Sequence, residues 1–198
     1  MRFWGMVVFG LAGTAVLISL GLWQIQRLAW KNDVLAQIEN TISDAPSDLP
    51  VSPNQQDHTY LPVAVTGEYG PITLKVLVSR KFYGAGFRLI TEFKIGERHI
   101  LVDRGFIKQD MPIPEPPSGL VNLTGNLHWP QEVDGFTPNP DWNGRLIFAR
   151  DIPQIAEWVG TEPSLLVLRT SDPLEAALTP LPVSTSGIPN DHLQYALT

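Results

Sequence analysis

The sequence predicts a mainly β fold, an antiparallel meander or small barrel with one short helix, preceded by an N-terminal transmembrane helix. Three observations lead to this prediction. Residues 3–23 carry no charged side chain. Residues 60–105 alternate between apolar and polar side chains in short runs separated by glycines, which is typical of strands. Residues 152–159 have the apolar spacing of a helix instead.

The uncharged run 3–23 predicts a membrane anchor. At 1.5 Å per residue a helix of this length spans about 30 Å, the thickness of a bilayer hydrocarbon core. No small-residue cleavage site follows it, so we interpret it as an uncleaved anchor. Trp4 lies near one end, and Trp23 and Trp30 near the other, as expected of indoles at a membrane interface. The flanking charges do not by themselves set the orientation.

Beyond the anchor, residues 24–42 continue as a helical extension, with Leu28, Leu35 and Ile38 spaced along one face. Residues 43–59 follow as a proline-rich linker or wrapping loop, because its prolines lack a backbone donor and disfavour helical geometry in the preceding residue.

An extracytoplasmic β-rich domain is predicted over residues 60–180, with residues 181–198 as a return segment toward the membrane. Its runs are rich in β-branched and aromatic residues. Gly84-Ala85-Gly86 and Gly96-Glu97-Arg98 are short enough to join hairpin partners. The predicted strands are 60–67, 73–78, 87–93, 99–105, 120–127, 145–149 and 165–168.

One helix is predicted inside this domain, between the last two strands. Asp151 is placed to cap it, Pro153 fits its first turn, and Gly160 ends it. Its apolar residues are spaced to lie on one side, so we expect the helix to plug or flank the sheet.

Composition narrows the classes of function. The formal net charge is -6, and no basic cluster interleaved with aromatic residues occurs, so nucleic acid is not expected as a partner. The chain has no cysteine, which excludes disulfides and cysteine-ligated metals. No Gly-x-Ser-x-Gly, phosphate-binding glycine loop or His-Glu-x-x-His motif occurs either.

Three of the four histidines, His58, His99 and His128, are interpreted as loop or sheet residues, since they are scattered through the β-rich region. Asp103 and Arg104 are adjacent on a predicted strand, where neighbouring side chains point to opposite faces. We therefore expect these two residues to have separate cross-strand partners.

Four short motifs resemble the Surfeit locus 1 family of cytochrome c oxidase assembly factors, bacterial branch. The order and spacing of the motifs agree along nearly the whole chain, after an N-terminal anchor. The motifs are Trp23-Gln24-x-x-Arg27-x-x-Trp30-Lys31, Gly67-Glu68-Tyr69, Leu101-Val102-Asp103-Arg104-Gly105 and Asn190-Asp191-His192-Leu193-Gln194-Tyr195-Ala196. The bacterial branch is favoured because no arginine- and serine-rich transit sequence precedes the anchor.

The resemblance implies a non-enzymatic assembly factor or haem chaperone of the bacterial inner (cell) membrane. Its soluble domain would lie on the periplasmic side and assist delivery of haem A to oxidase subunit I, with haem A synthase as a further possible partner. Family members continue from the His-Leu-Gln-Tyr-Ala motif into a second, C-terminal transmembrane helix. This sequence stops at Thr198, so that helix is expected but absent from this chain.

The resemblance also suggests a haem site at the membrane surface, where the two ends of the chain are expected to meet. Its candidate residues are His192 as axial ligand of the haem iron, Arg27 as partner of a propionate, and Trp23 or Tyr195 against the porphyrin. Haem A has an apolar tail, an iron that accepts imidazole and two anionic propionates. An ordinary imidazole is mostly neutral at pH 7 and able to coordinate.

Other interpretations remain open. His192 and Asp191 are equally placed to cap the missing helix, while Arg27 extends to lipid phosphates. The chain is also consistent with a protein-only scaffold that stabilises nascent subunit I without ligating haem. An envelope enzyme is the weakest alternative, because no nucleophile stands beside a base; a cleft joining Asp103, Arg104 and a histidine would revive it.

Overall fold

The computed structural model describes residues 2–80 and 84–184. It divides into two compact units, residues 2–40 and residues 41–184 of the described chain. The helices and strands, in chain order, are α1 (Arg2–Ser43), β1 (Ser47–Asp48), α2 (Gln55–His58), β2 (Pro62–Arg80), β3 (Gly84–Ile95), β4 (Arg98–Lys108), β5 (Val121–His128), β6 (Leu146–Ile147), α3 (Ile152–Val159) and β7 (Leu165–Asp172).

The first unit is formed by most of α1, a helix of 42 residues. Its stretch from Phe3 onward is long and apolar enough to cross a membrane. Large apolar side chains such as Phe9, at 83% exposure, and Leu17, at 70%, face outward along it. Hydrocarbon is the solvent that such a surface favours.

The second unit contains a closed barrel of five strands among its described residues, which confirms the predicted fold class. The strands follow one another around the barrel in the order β2, β3, β4, β7, β5 and back to β2. All neighbours are antiparallel except β4 and β7, which are parallel. The short strands β1 and β6 add to β2 outside this ring.

The barrel closes because β2 changes partner along its length. Residues 62–67 pair with β5, and Glu68 and the residues after it pair with β3. Gly67 lies at the change, where a Cβ atom would come within 2.0 Å of the Lys94 carbonyl oxygen. A glycine is therefore required at this position for the two backbones to approach each other.

Alternation along the strands produces the two larger of three apolar cores, one on each side of the barrel wall. All five barrel strands contribute to the first core, which fills the interior. The second lies outside the wall, where β6 and α3 cover it. Ile100 and Val102 belong to the first core, and Leu101, between them, to the second. Because β4 and β7 are buried on both faces, their apolar runs are nearly continuous.

Helix α3 flanks the sheet, one of the two roles expected of it. Asp151 caps it by accepting a hydrogen bond from the Gln154 backbone N–H, and Gly160 ends it with φ of 86°. Ile152, Ile155 and Ala156 are buried against the outer core. The predicted limits, cap and apolar face of this helix are confirmed.

Two predictions about turns are wrong. The predicted strands 60–67 and 73–78 belong to one strand, β2, which begins at Pro62 and has a register irregularity between Tyr69 and Thr73 in place of a turn. Gly84 and Gly86 lie within β3. At Gly86 a Cβ would come within 2.5 Å of the Phe106 ring, so its role is close packing against β4. The connection 81–83 lies outside the described residues.

Candidate functional site

The candidate residues Trp23 and Arg27 lie on α1, together with Trp30 and Lys31. Their spacing of four, seven and eight residues from Trp23 places them on one side of the helix. The Arg27 guanidinium carbon lies 5.6 Å from the centre of the Trp30 ring, within the range of a cation–π contact. The predicted membrane-interface motif is therefore a continuous surface of indole rings and cations on one helix face.

This surface lines a concave space of about 520 Å³. The helix residues that line it are Trp23, Gln24, Arg27, Leu28, Trp30, Lys31, Val34 and Leu35. Trp23 is 52% exposed and Trp30 59% exposed. The rings of Trp23 and Trp30 are thus accessible to a ligand or to lipid, and the Arg27 guanidinium lies between them along the helix.

The donor set on this face fits the periphery of a haem. Indole rings provide apolar surface for a macrocycle, and a guanidinium offers paired donors that match a carboxylate such as a propionate. Arg27 follows a run without charged residues from Phe3 to Gln26. An apolar tail directed along the anchor and an anionic edge directed toward Arg27 would therefore both meet suitable partners.

The other two candidates, His192 and Tyr195, lie outside the described residues. The proposed iron ligand and the meeting of the two chain ends therefore remain predictions. Within residues 2–80 and 84–184, no group of three or more His, Asp or Glu side chains is placed to hold a metal ion.

The three other histidines lie in the second unit. His58 is the last residue of α2, and its Nδ1 accepts a hydrogen bond from the Asn54 backbone N–H. The Nδ1 of His99 lies 3.0 Å from Glu92. His128 stacks on Tyr60, with ring centres 5.5 Å apart, and its buried Nδ1 has no hydrogen-bond partner among the described residues. Burial first, and then the charge of Arg150, lower the pKa of His128 to about 4.

Asp103 and Arg104 have separate partners, as expected from their adjacency on a strand, but Glu175, the partner of Arg104, lies after β7 and not on a neighbouring strand. Asp103 Oδ2 accepts hydrogen bonds from Arg88 Nε at 2.6 Å and from Arg150 Nη1 at 3.3 Å. Arg104 donates from Nε to Glu175 Oε2 at 2.9 Å. Because the two side chains lie in different buried clusters, they do not form the shared cleft that would favour an enzyme.

Sequence reasoning missed the first of these clusters, which we name the Asp103 ion cluster: the buried residues Arg88, Asp103 and Arg150, together with the more exposed Glu132. Arg150 donates from Nε to Glu132 Oε2 at 3.0 Å and bridges to Asp103. Burial opposes ionisation of Glu132, but the hydrogen bonds and charge of Arg150 outweigh it and lower the pKa of the carboxyl. In the sequence, the sign of this cluster is the presence of charged residues within apolar strands. This pattern does not identify which residues pair with each other.

The second cluster attaches the segment after β7 to the barrel. Glu175 accepts hydrogen bonds from Arg104 and from the Tyr69 hydroxyl, at 3.1 Å for the latter. Arg104 also lies over the Tyr69 ring, 5.3 Å from its centre. Burial, followed by the charge of Glu175, raises the pKa of Tyr69. Two residues from the family-like motifs, Tyr69 and Arg104, thus serve the architecture of the barrel.

Comparison with known proteins gives one consistent result. The chain is similar to the SURF1-like protein of Drosophila melanogaster, at 28% identity over 93% of this chain and 69% of the relative. It is similar to Surfeit locus protein 1 of Xenopus tropicalis, at 27% identity over 91% of this chain and 66% of the relative.

Surfeit locus protein 1 of Homo sapiens is 28% identical over 91% of this chain and 68% of the relative. The chain thus spans about two thirds of the length of these relatives. The sequence model of the SURF1 family matches residues 11–198, which include most of the apolar helix and the whole barrel. This protein therefore belongs to the SURF1 family.

Proposed function

We propose that this protein is a membrane-anchored assembly factor for haem-copper cytochrome c oxidase that binds haem A and delivers it to subunit I. The observation that carries the proposal is the family match over residues 11–198. The apolar helix supports membrane attachment. We place the anchor in a bacterial inner membrane, with the barrel on the periplasmic side, and include haem A synthase as a possible second partner.

The proposed haem-binding surface is the exposed face of α1 around Arg27. Haem A contributes an apolar tail, a flat macrocycle and two anionic propionates. Arg27 pairs with a propionate, and Trp23 packs against the macrocycle. His192 supplies an imidazole nitrogen to the iron, and Tyr195 adds a second aromatic contact. Both of these residues belong to the family-like C-terminal motif.

The Arg27 role is tested by titrating the purified protein with haem A and following the absorption spectrum. We expect Arg27→Gln to weaken binding by about tenfold, the loss expected for one charge-assisted hydrogen bond. Arg98→Gln is the matched control, because Arg98 is a partly exposed arginine of the barrel paired with Glu162. Unchanged affinity in Arg27→Gln would remove the propionate contact from the proposal.

The His192 role is tested by the spectrum of bound haem. We expect His192→Ala to change the iron ligation bands and lower the amount of haem bound, while His58→Ala leaves both unchanged. A wild-type spectrum and stoichiometry in His192→Ala would exclude this histidine as the ligand.

A second candidate function is a protein-only scaffold for nascent subunit I. It is favoured by the interior of the barrel, where Phe93, Ile100 and Leu127 are each fully buried in an aliphatic and aromatic core. Such a barrel acts through its outer surface. Recovery of a stable complex with subunit I from cells that lack haem A would favour the scaffold, whereas strict dependence on haem A would favour delivery.

A further inference from the structure

Phe136 is the most exposed large apolar side chain on the described barrel unit, at 96% exposure. It lies in the Phe136 loop, defined here as residues 130–141, between β5 and β6. A single exposed apolar residue needs no explanation. Phe136 differs from such a residue, because its loop is ordered by hydrogen bonds and adjoins further apolar surface.

The tip of the Phe136 loop is fixed by its own hydrogen bonds. Asp134 Oδ1 accepts from the Phe136 backbone N–H at 2.9 Å and from the Thr137 hydroxyl at 3.0 Å. The Thr137 hydroxyl oxygen in turn accepts from the Asp134 backbone N–H at 2.9 Å. The hydrogen bond from the Phe136 N–H is the main reason that the pKa of Asp134 is lowered. The ring is thus held outward in a defined turn.

Both ends of the loop are attached to the body of the domain. At its start, Glu132 is held by Arg150 through the backbone N–H and the guanidinium. At its end, the backbones of Asp141 and Leu146 exchange hydrogen bonds of 2.8 and 2.9 Å. An apolar side chain presented on a preordered loop loses less conformational entropy on binding than one on a free loop.

Further apolar surface adjoins the loop. A groove of about 120 Å³ runs beside it, lined among others by Val133, Pro138, Phe148 and Gln154. Val133 is 56% exposed. Gln154 and Trp158 are four residues apart on α3 and therefore share a helix face. Trp158, 38% exposed, extends the apolar surface by one helical turn.

The charge around this surface is negative. Residues 130–160 contain five carboxylates and two arginines. One arginine, Arg150, is buried and engaged by Glu132 and Asp103. Asp134 and Asp141 are exposed on the loop itself. An anionic lipid surface would be repelled here, whereas an apolar pocket bordered by lysine or arginine is complementary.

We infer that the Phe136 loop is a protein-docking surface, in which Phe136 inserts into an apolar pocket with a basic rim on the partner. Resting on the proposed function, the inference assigns that pocket to oxidase subunit I. Aromatic residues are enriched at the centres of protein interfaces, where truncation of one anchor removes much of the binding. The surrounding carboxylates set the orientation and the salt dependence.

The experiment is co-purification of subunit I with the full chain in detergent, at low and at high salt. We expect Phe136→Ser to lower recovery of subunit I by about tenfold or more, the effect of losing an interface anchor. Leu120→Ser is the matched control, since Leu120 is also an exposed barrel residue, at 72%, and lies outside the loop. Both substitutions are at exposed side chains, and circular dichroism checks that each variant folds.

Two results of this experiment overturn the inference alone. One is recovery of subunit I at the wild-type level by Phe136→Ser, and the other is equal loss in both variants. If the unsubstituted chain recovers no subunit I, the proposed function fails first and the assigned partner fails with it. The two failures are therefore distinguishable.

Photo-crosslinking gives a second measurement that does not depend on stable recovery. A benzophenone side chain introduced at position 136 is expected to form an adduct with subunit I in intact membranes, and one at position 120 is not. An adduct with lipid in place of protein at position 136 would show that the loop meets the membrane, which overturns the inference.

Discussion

Arg88 and Asp103 form a buried salt bridge on the barrel wall, with 2.6 Å between Nε and Oδ2. Their side chains are only 5% and 0% exposed. Arg150 adds a second cation to the same carboxylate, and Glu132 balances it. Opposite charges compensate the desolvation of ions in such a cluster only while every partner is present.

Asp103→Asn is therefore expected to destabilise the barrel strongly, because it leaves two buried guanidinium groups facing a neutral amide. The expected loss is about 3–5 kcal/mol of unfolding free energy. Urea unfolding of the full chain in detergent, followed by near-UV circular dichroism, measures it. The control Glu162→Gln breaks the more exposed pair with Arg98 and should cost at most about 1 kcal/mol. Equal losses in the two variants would contradict this account.

In this region, the sequence predicted the interactions between residues close together in the chain and did not predict those between distant segments. Alternation within one strand predicted that Asp103 and Arg104 have different partners, and local capping signals predicted α3 correctly. The identity of Glu132, Arg150 and Glu175 as partners depends on pairings between distant segments, for which no local signal exists. The continuous strand β2 was missed because Gly67 and Gly70 resemble turn residues, whereas they allow close approach to β3.

For the candidate site, the sequence predicted that Trp23 and Trp30 lie near the membrane interface, and the face that they share with Arg27 was recognised only on α1 of the structure. The role of His192 rests on resemblance, since the residue lies outside the described chain. The Phe136 loop was not predicted at all. Its exposed ring depends on a turn closed by Asp134 and Thr137, whose hydrogen bonds a periodicity argument does not detect.

Gly67→Ala is expected to destabilise the barrel where β2 changes partner. The added Cβ would meet the Lys94 carbonyl oxygen at 2.0 Å, and a backbone atom in a paired strand has little room to move. Overpacking of this kind costs about 1–3 kcal/mol. Gly135→Ala is the control, because among the described residues no atom beyond its two chain neighbours lies within 4 Å of the position of its Cβ. Thermal unfolding that ranks the two variants in the opposite order would contradict the close-approach explanation.

His128 is expected to make stability depend on pH. Burial and the charge of Arg150 lower its pKa to about 4, whereas in the unfolded chain it takes up a proton near 6.5. Between these values the unfolded state binds more protons, so stability falls as the pH decreases from 6.5 to 4. The slope due to this residue is at most about 1.4 kcal/mol per pH unit.

His128→Phe keeps a ring against Tyr60 and removes the titrating group, so this part of the pH dependence should disappear. Urea unfolding at intervals between pH 7 and 4 provides the comparison with the wild type. His58→Gln is the control for the loss of a histidine that lies outside the stack with Tyr60. If His128→Phe is as pH-sensitive as the wild type, the titrating group lies elsewhere.

Glu175→Ala is expected to release the segment that follows β7. The Arg104 side chain is fully buried and donates to Glu175, and Tyr69 donates to the same carboxylate. Removing the acceptor leaves a buried cation without its main partner, which costs about 3–5 kcal/mol. The backbone pairing of Phe106 with Thr179 holds the same segment a few residues later. Limited proteolysis should therefore cut near 173–180 sooner in Glu175→Ala than in the wild type.

The control is Glu157→Ala, which removes an exposed carboxylate on α3 and should leave the cleavage pattern unchanged. Cleavage enhanced equally in both variants would show that Glu175 does not hold the segment.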